Sequence, residues 1–386
     1  MRVLFVTRRF YPDIIGGGEI SAYHIAKAVK DQGCDVHVCT FSDKLYMVGY
    51  REEIDSNHIH VIRFSLKSSD KPILSHLLNL ELMYLQMWYY LRKVINALEP
   101  DVLHFLNVDS IFYNSLERLP KFATINSPLL RSERSGIIKK LYWSFNEREL
   151  KFFMRRVDKL FAVSRAIKKL LISEGFDKSV IDVIHNPIVP HKIVDTNLKS
   201  RLNIGDKRVI LYAGRIAYEK GIHKIVDAMN CIDDAVLLIL GRGSDIKYKK
   251  YLNELIDKNK LHDKVKIVGF IRHSKMHEYY SIADLVVLPC TWYEPLSRML
   301  LEACSYGIPC IASDVGGNSE IVDDGKNGIL LRENTTEELI EAIDKIFSLS
   351  ESQINKIRRY NIKKIEREFS PEKIGKQIIR NYEKWT

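Results

Sequence analysis

Cysteine is scarce in this chain and follows no pattern. The six residues, Cys34, Cys39, Cys231, Cys290, Cys304 and Cys310, form no Cys-x-x-Cys pair, and no histidine cluster lies nearby at zinc-ligand spacing. They read as reduced, mostly buried thiols of a cytosolic protein. Long hydrophobic runs are missing too. The most apolar stretch, Ile73 to Leu91, is broken by His76, Asn79, Glu81 and Gln86. A membrane-spanning helix needs ~20 predominantly apolar residues, so this stretch reads as a buried helix. Met1 to Arg9 is too briefly apolar for a signal peptide and reads as a first strand. No Asp-x-Asp triplet occurs, which argues against a phosphate held through a metal. Neither a Walker P-loop nor the G-x-G-x-x-G dinucleotide fingerprint is present.

What is present is the composition of a globular protein with room for more than one core. The chain has 386 residues, 46% apolar and 28% charged, and that length implies two domains, at most three. The net charge of +10 is uneven. Between Lys139 and Lys169, ten basic residues face only Glu147, Glu149 and Asp158, with Trp143, Phe145, Phe152, Phe153 and Met154 interspersed. Such a stretch is either a solvated helix face above a core stripe or a contact for an anionic membrane surface. The expected location is therefore cytoplasmic, with peripheral attachment to the inner face of the cell membrane as an option. No nucleic-acid motif accompanies the charge, so no nucleic-acid partner is expected.

Short apolar strands alternate with helical patterns in both halves. Val3–Thr7, Asp35–Thr40, His60–Phe64, Val102–Phe105, Phe122–Ile125, Lys159–Val163 and Val180–Ile184 read as strands of the first half, with helices at Ile20–Gln32, Leu74–Leu98 and Ala166–Glu174. A polar, proline-marked stretch from Asn186 to Lys207 reads as a linker. The second half gives strands at Val209–Ala213, Val236–Leu240, Val265–Val268, Leu285–Pro289 and Pro309–Ala312. Its helices are expected at Gly221–Asn230, Tyr248–Asn259, His273–Ser281, Ser297–Tyr306 and Glu337–Leu349. The expected fold class is α/β, as two doubly wound Rossmann-like domains facing each other across a cleft. The boundaries expected are 1–190 and 191–370, with a closing helix in 371–386.

Three constellations fall where strands end and helices begin. In the first, Gly214, Arg215, Lys220 and Gly221 follow a buried strand. A guanidinium fork and an ammonium beside a helix N-terminus suit a diphosphate, though loop cations are often merely solvated. In the second, Glu294 precedes a helix and Glu302 lies about two turns inside it, so both can face one cleft. Glu302 sits among Met299, Leu300, Leu301, Ala303 and Cys304, where an unpaired charge is costly. A capping acid plus one surface glutamate is the plain alternative. The third, Gly316-Gly317-Asn318-Ser319-Glu320, lets backbone approach a ligand closely, and Gly16-Gly17-Gly18-Glu19 repeats that device after the first strand.

Taken in order, these elements resemble the retaining glycosyltransferases of family 4, which have the two-domain GT-B fold. The likeness runs from about Val209 to Leu331. It comprises Gly214-Arg215 with Lys220-Gly221, the turn Gly241-x-Gly243, Gly269, Glu294-x7-Glu302, Gly316-Gly317-x-x-Glu320 and Asp323-Asp324-Gly325-Lys326-Asn327-Gly328. The N-terminal match is thinner: Tyr11-Pro12 with Gly16–Glu19, Pro100–His104 and Ala162–Ser164. The resemblance implies that Arg215 and Lys220 bind the donor diphosphate, Glu302 the ribose hydroxyls and Glu294 the hydroxyls of the transferred sugar. Gly214 and Gly241 shape the donor-binding turns. Backbone around Leu296, Ser297, Arg298 and Met299 meets the phosphates and ribose, Ile271 faces the base, and Gly16 and Gly17 close over the diphosphate. Three positions depart from the pattern. Asn126 stands where many relatives carry a histidine, His185-Asn186-Pro187 replaces Pro-Asn-Gly, and Ser297 replaces a glycine.

The resemblance implies a hexosyltransferase that moves a sugar from a nucleotide-sugar donor to an acceptor hydroxyl with retention. It needs no metal or other cofactor, with UDP-sugar favoured over GDP- or ADP-sugar. The expected acceptor is a glycan or lipid-linked sugar of cell-surface assembly. Two alternatives stand beside it: a sugar-nucleotide epimerase or hydrolase of the same architecture, and, from the basic segment and Asn126, a non-catalytic protein that binds nucleotide sugar and membrane.

Overall fold

The computed structural model describes residues 1–13, 16–42, 50–65, 74–107, 110–111, 118–127, 148–243 and 245–386. The chain divides into two compact units, Met1–Pro187 with Pro371–Thr386, and Ile188–Ser370.

The first unit is built on strands β1 (Arg2–Val6), β2 (Asp35–Ser42), β3 (Tyr50–Ile54), β4 (His60–Ser65), β5 (Val102–Phe105), β6 (Lys121–Ile125), β7 (Lys159–Ala162) and β8 (Ile181–Val183). Their order in the sheet is 3-4-2-1-5-6-7-8, and every described pairing is parallel except that of β3 with β4. The central strands β5 and β6 are buried at every residue. That is why they read as unbroken apolar runs rather than alternating ones. Helices α1 (Gly17–Lys30), α2 (Leu74–Leu98) and α3 (Arg165–Ser173) supply crossovers. On α1 the residues Ala22, Ile25, Ala26 and Val29 recur at helical spacing and pack with Val3, Phe5, Val36 and Val38 in one core.

The second unit carries β9 (Arg208–Ala213), β10 (Ala235–Leu240), β11 (Val265–Gly269), β12 (Leu285–Leu288), β13 (Cys310–Ser313) and β14 (Gly328–Leu331), in the all-parallel order 11-10-9-12-13-14. Its helices are α4 (Leu198–Arg201), α5 (Ile222–Ala228), α6 (Ile246–Lys258), α7 (Met276–Ile282), α8 (Arg298–Ser305), α9 (Thr336–Phe347) and α10 (Glu351–Glu368). The chain then returns to the first unit as α11 (Pro371–Tyr382). Ile374, Ile378 and Tyr382 of α11 enter the first unit's core. Gly375 sets how closely α11 lies on α1, since a Cβ there would come within 2.5 Å of the Ala28 carbonyl oxygen. At the end of α11 the Tyr382 hydroxyl pairs with His104 Nδ1 at 2.5 Å, and His104 Nε2 pairs with Thr124 Oγ1 at 2.8 Å.

Four elements were not expected from the sequence, the fourth being the short helix α4. β3 reads Tyr-Arg-Glu-Glu-Ile, whose charges hide a strand, and it occupies the sheet edge where charge is tolerated. β14 has only four residues and opens on a glycine, too short for a period to show. α10 has eighteen residues, but its buried face holds Asn361 and Lys364 beside Ile357 and Ile365, which breaks the apolar stripe. The polar stretch after Asn186 is not a free linker either. Ile188, Leu198 and Ile204 are buried, and Leu198 opens a short helix.

Candidate functional site

Strand order reverses between β9 and β12 in the second sheet, and between β1 and β5 in the first. At such a reversal the loops leave in opposite directions and open a crevice at the carboxyl ends of the strands. The loops after β9 and β12 carry Arg215 and Lys220 on one side and Glu294 on the other. The fold thus brings together two segments more than seventy residues apart.

Their meeting is direct. Lys220, in the single 3-10 turn Tyr218–Lys220, donates from Nζ to Glu294 Oε2. The two side chains keep only 16% and 13% of their exposure, so the pair lies at the floor of the loops with its charges mutually compensated. Arg215 is different. It is exposed and reaches Glu219 at 2.5 Å, an ion pair that solvent weakens and a polyanion could replace. The Arg215 backbone is nonetheless fixed, because the buried Tyr212 hydroxyl donates to the Arg215 carbonyl at 2.7 Å. Burial, and then the charge of Glu294, push the Tyr212 phenol well up, so it stays a donor. Gly214 and Gly241 lie side by side at the ends of β9 and β10, where Gly214 N–H donates to the Leu240 carbonyl and Gly241 N–H to that of Gly269.

Glu294 is positioned from behind by the glycine pair. Gly317 N–H donates to the Glu294 carbonyl at 2.7 Å. Gly316 has φ +59°, and a Cβ there would lie 2.0 Å from that same oxygen. Any side chain at 316 would push the Glu294 backbone away. Glu294 is no helix cap. That role belongs to Ser297, whose Oγ accepts from Leu300 N–H at 3.3 Å and starts α8. Ser297 thereby has a local role as the cap of α8. Leu296 is buried beneath the turn, and Arg298 and Met299 open the helix.

Glu302 is buried, with 8% of its surface exposed, and fully paired. Arg298 Nε donates to Oε1 at 3.0 Å, and the Tyr280 hydroxyl donates to Oε2 at 2.8 Å. Each carboxylate oxygen keeps a further lone pair for a ligand. Ile271, in the loop after β11, is half-buried. Among the described residues no group of three or more His, Cys, Asp or Glu side chains could hold a metal ion.

In the first unit, α1 begins at Gly17 after Gly16, and Gly16 N–H donates to Glu19 Oε2 at 2.9 Å. At the ends of β1, β5 and β6 a polar relay runs across the switch point. Asn126 Nδ2 donates to Asn107 Oδ1, and Asn107 Nδ2 donates to Thr7 Oγ1 at 2.8 Å. Gly18 lies against it, with its Cβ position 3.5 Å from Asn126 Nδ2. Asn126 is thus held by a hydrogen bond to Asn107. Sequence reasoning missed Asn107, Thr7 and Tyr280. None belongs to a spaced motif, and only strand order shows that Thr7 and Asn107 end adjacent strands.

The basic stretch from Lys139 lies outside the described residues as far as Glu147. Beyond it, Lys151 pairs with Glu174 at 2.5 Å and Lys159 with Asp182 at 3.2 Å. Phe152 is exposed with Arg156 stacked 3.5 Å from its ring centre. No described helix is long and apolar enough to cross a membrane.

Comparison with known proteins gives both halves of the chain a family. Residues 15–192 match Glycosyltransferase Family 4, and residues 194–364 match Glycosyl transferases group 1. An uncharacterized glycosyltransferase of Methanocaldococcus jannaschii is 26% identical over 99% of this chain and 98% of its own. Spore coat protein SA of Bacillus subtilis is 27% identical over 48% of this chain and 52% of its own. Among solved structures, Anabaena HepE in complex with UDP-glucose superposes with a TM-score of 0.79 at 21% identity, covering all of both chains. With two Rossmann-like units and both halves matched, the chain belongs to the family 4 glycosyltransferases of GT-B type.

Proposed function

We propose that the protein transfers a hexose from a UDP-sugar to an acceptor hydroxyl with retention of configuration and without a metal. The Lys220–Glu294 pair at the switch point of the second unit carries this reading. Lys220 and the exposed Arg215 take the donor diphosphate and the charge that grows as it leaves. Glu294, released from Lys220 by the arriving phosphate, turns its carboxylate to the sugar hydroxyls. Glu302 takes the ribose, backbone from Leu296 to Met299 meets the phosphates and ribose, and Ile271 meets the base.

The C1–phosphate oxygen bond breaks and the acceptor oxygen bonds to C1 on the same face. The acceptor proton passes to the departing phosphate oxygen, so Glu294 positions the sugar and does not attack it. UDP is favoured as the nucleotide because HepE, of the same fold, was solved with UDP-glucose. The test is a thermal-shift titration with UDP-, GDP- and ADP-glucose in EDTA, on wild type and Arg215→Ala. Donor at about 100 times its dissociation constant should add about 2.7 kcal/mol of stability. The UDP-sugar shift should appear in wild type and vanish in the variant. Shifts that require added metal, or that persist in Arg215→Ala, refute the donor assignment.

The acceptor is proposed to be a glycan or lipid-linked sugar, met at the inner membrane face through residues 139–169. Phe152 and Arg156 present an exposed aromatic–cation pair of the kind that settles at lipid headgroups. Vesicles containing anionic lipid should sediment the protein at low salt and release it at high salt. Equal failure to bind neutral and anionic vesicles would remove the membrane from the proposal.

A further inference from the structure

The donor-site motifs leave one buried group unexplained. Tyr280, on α7, has 2% of its surface exposed, yet its hydroxyl is directed onto Glu302 Oε2 at 2.8 Å. The opposite oxygen of the same carboxylate is held by Arg298 at 3.0 Å. One donor comes from Glu302's own helix, four residues earlier, and therefore moves with it. The other comes from a different helix and fixes the carboxylate relative to the sheet. Burial and the neighbouring Glu302 charge raise the Tyr280 phenol well above its ordinary value, so it remains protonated and donates.

Tyr280 is itself held in register by a stack. Its ring lies parallel to that of Tyr306, with centres 5.3 Å apart and planes 13° apart. Tyr306 in turn stacks on His191 at 4.9 Å and 16°. The outer rung is pinned where His191 N–H donates to the Ser305 carbonyl at 2.8 Å, and Ser305 Oγ donates to the Glu302 carbonyl at 2.6 Å. The ladder thus runs from the Glu302 carboxylate to the backbone carbonyl of Ser305 on the same helix. Parallel ring stacks at these spacings are favourable and resist rotation.

We infer that Tyr280 is a positioning residue that aims Glu302 at the ribose, and that the His191–Tyr306–Tyr280 ladder keeps it aimed. This rests on the reading of Glu302 as the ribose ligand. A carboxylate held by two donors offers its remaining lone pairs in one fixed direction, so a hydroxyl placed there is recognised with little loss of side-chain entropy. Tyr280→Phe keeps the ring and the stack and removes only the donor. A hydrogen bond to a charged group is typically worth about tenfold in binding.

The experiment is calorimetric binding of UDP, GDP and ADP, each beside its 2′-deoxy counterpart, to the full-length chain. Wild type is expected to prefer one ribonucleotide over its deoxy form by about tenfold. Tyr280→Phe should bring that preference to within about threefold while leaving deoxynucleotide affinity unchanged. Its donor KM should rise about tenfold and kcat stay within about twofold. Tyr306→Leu, which removes the backing ring and leaves the hydroxyl, should lose part of the preference. If wild type binds ribo and deoxy forms equally, or binds none, the ribose reading of Glu302 falls and the inference with it. If wild type discriminates and both variants discriminate as well, the ribose reading stands and the role of Tyr280 is refuted. Unchanged deoxynucleotide binding separates either result from a simple loss of fold.

Discussion

Replacing Lys220 by alanine is expected to slow sugar transfer about 10²–10³-fold at saturating donor, the usual cost of losing one preorganised group that meets developing charge. The expectation follows from where Lys220 sits. Its side chain keeps only 16% of its exposure, and its ammonium meets Glu294. A charge already stripped of most of its water can be delivered to a phosphate without solvent reorganisation. Arg215, exposed and paired to Glu219, is better suited to capturing donor than to stabilising the transition state. Arg215→Ala should therefore act mainly through KM.

One confound needs control. Without Lys220 the mostly buried Glu294 carboxylate loses its cation partner, and breaking a buried pair from one side is destabilising. The measurement is kcat per folded molecule, with melting followed in parallel, for Lys220→Ala and for Lys220→Ala combined with Glu294→Gln. Relieving the orphaned charge should restore stability in the double variant without restoring rate. Recovery of rate together with stability would show that Lys220 serves the fold and not the reaction.

The second large effect concerns pH and has nothing to do with the donor. His104 is completely buried on β5, and burial lowers its pKa from 6.5 to about 3. Phe5, Phe122 and Phe161 pack round it, and its two nitrogens face Tyr382 and Thr124. The folded chain keeps it neutral, whereas the unfolded chain protonates it below pH 6.5. Its contribution is thus complete above pH 6.5 and drains away as pH falls toward 3. Between pH 6.5 and pH 4 the loss is roughly 3 kcal/mol, from 1.36 kcal/mol per unit of pH. Urea unfolding of the first unit at pH 7 and pH 4 measures it. His104→Gln, which cannot take up the proton, should be less stable at pH 7 and flatten this part of the pH dependence. An unchanged slope in that variant would place the acid sensitivity elsewhere. Because Tyr382 closes the same hydrogen-bonded chain, the return of α11 to the first unit should loosen under the same acid conditions.

Much of this was legible before any coordinates. Buried parallel strands such as Val236–Leu240 are apolar on both faces, so they announce themselves as short unbroken runs and their ends fall within a residue or two. The proposed donor constellation was legible because of its chemistry. Phosphate and sugar recognition needs cations, carboxylates and glycines at loop ends, and those types are conspicuous beside apolar strands. The elements that escaped were those whose composition works against their conformation. α10 buries Lys364, which the sequence presents as a surface residue, because Asp323 meets its ammonium at 2.6 Å. Asn361 is buried beside it since Asn327 Nδ2 donates to its Oδ1 at 2.7 Å and it donates onward to the Ile308 carbonyl. A buried polar face is intelligible only once its partners, 34 to 53 positions away, are known.

The sequence by itself determined the fold class, the alternation of strand and helix, and which residue types stand at the strand ends, because each is encoded in local spacing. Tertiary structure alone decided which of those residues meet. It paired Lys220 with Glu294 across seventy-four positions, gave Glu302 its second donor from Tyr280, and set Thr7, Asn107 and Asn126 in one relay. Hydrogen bonds and ion pairs form between atoms that the strand order brings side by side, and strand order is a property of the whole sheet that no window of sequence contains.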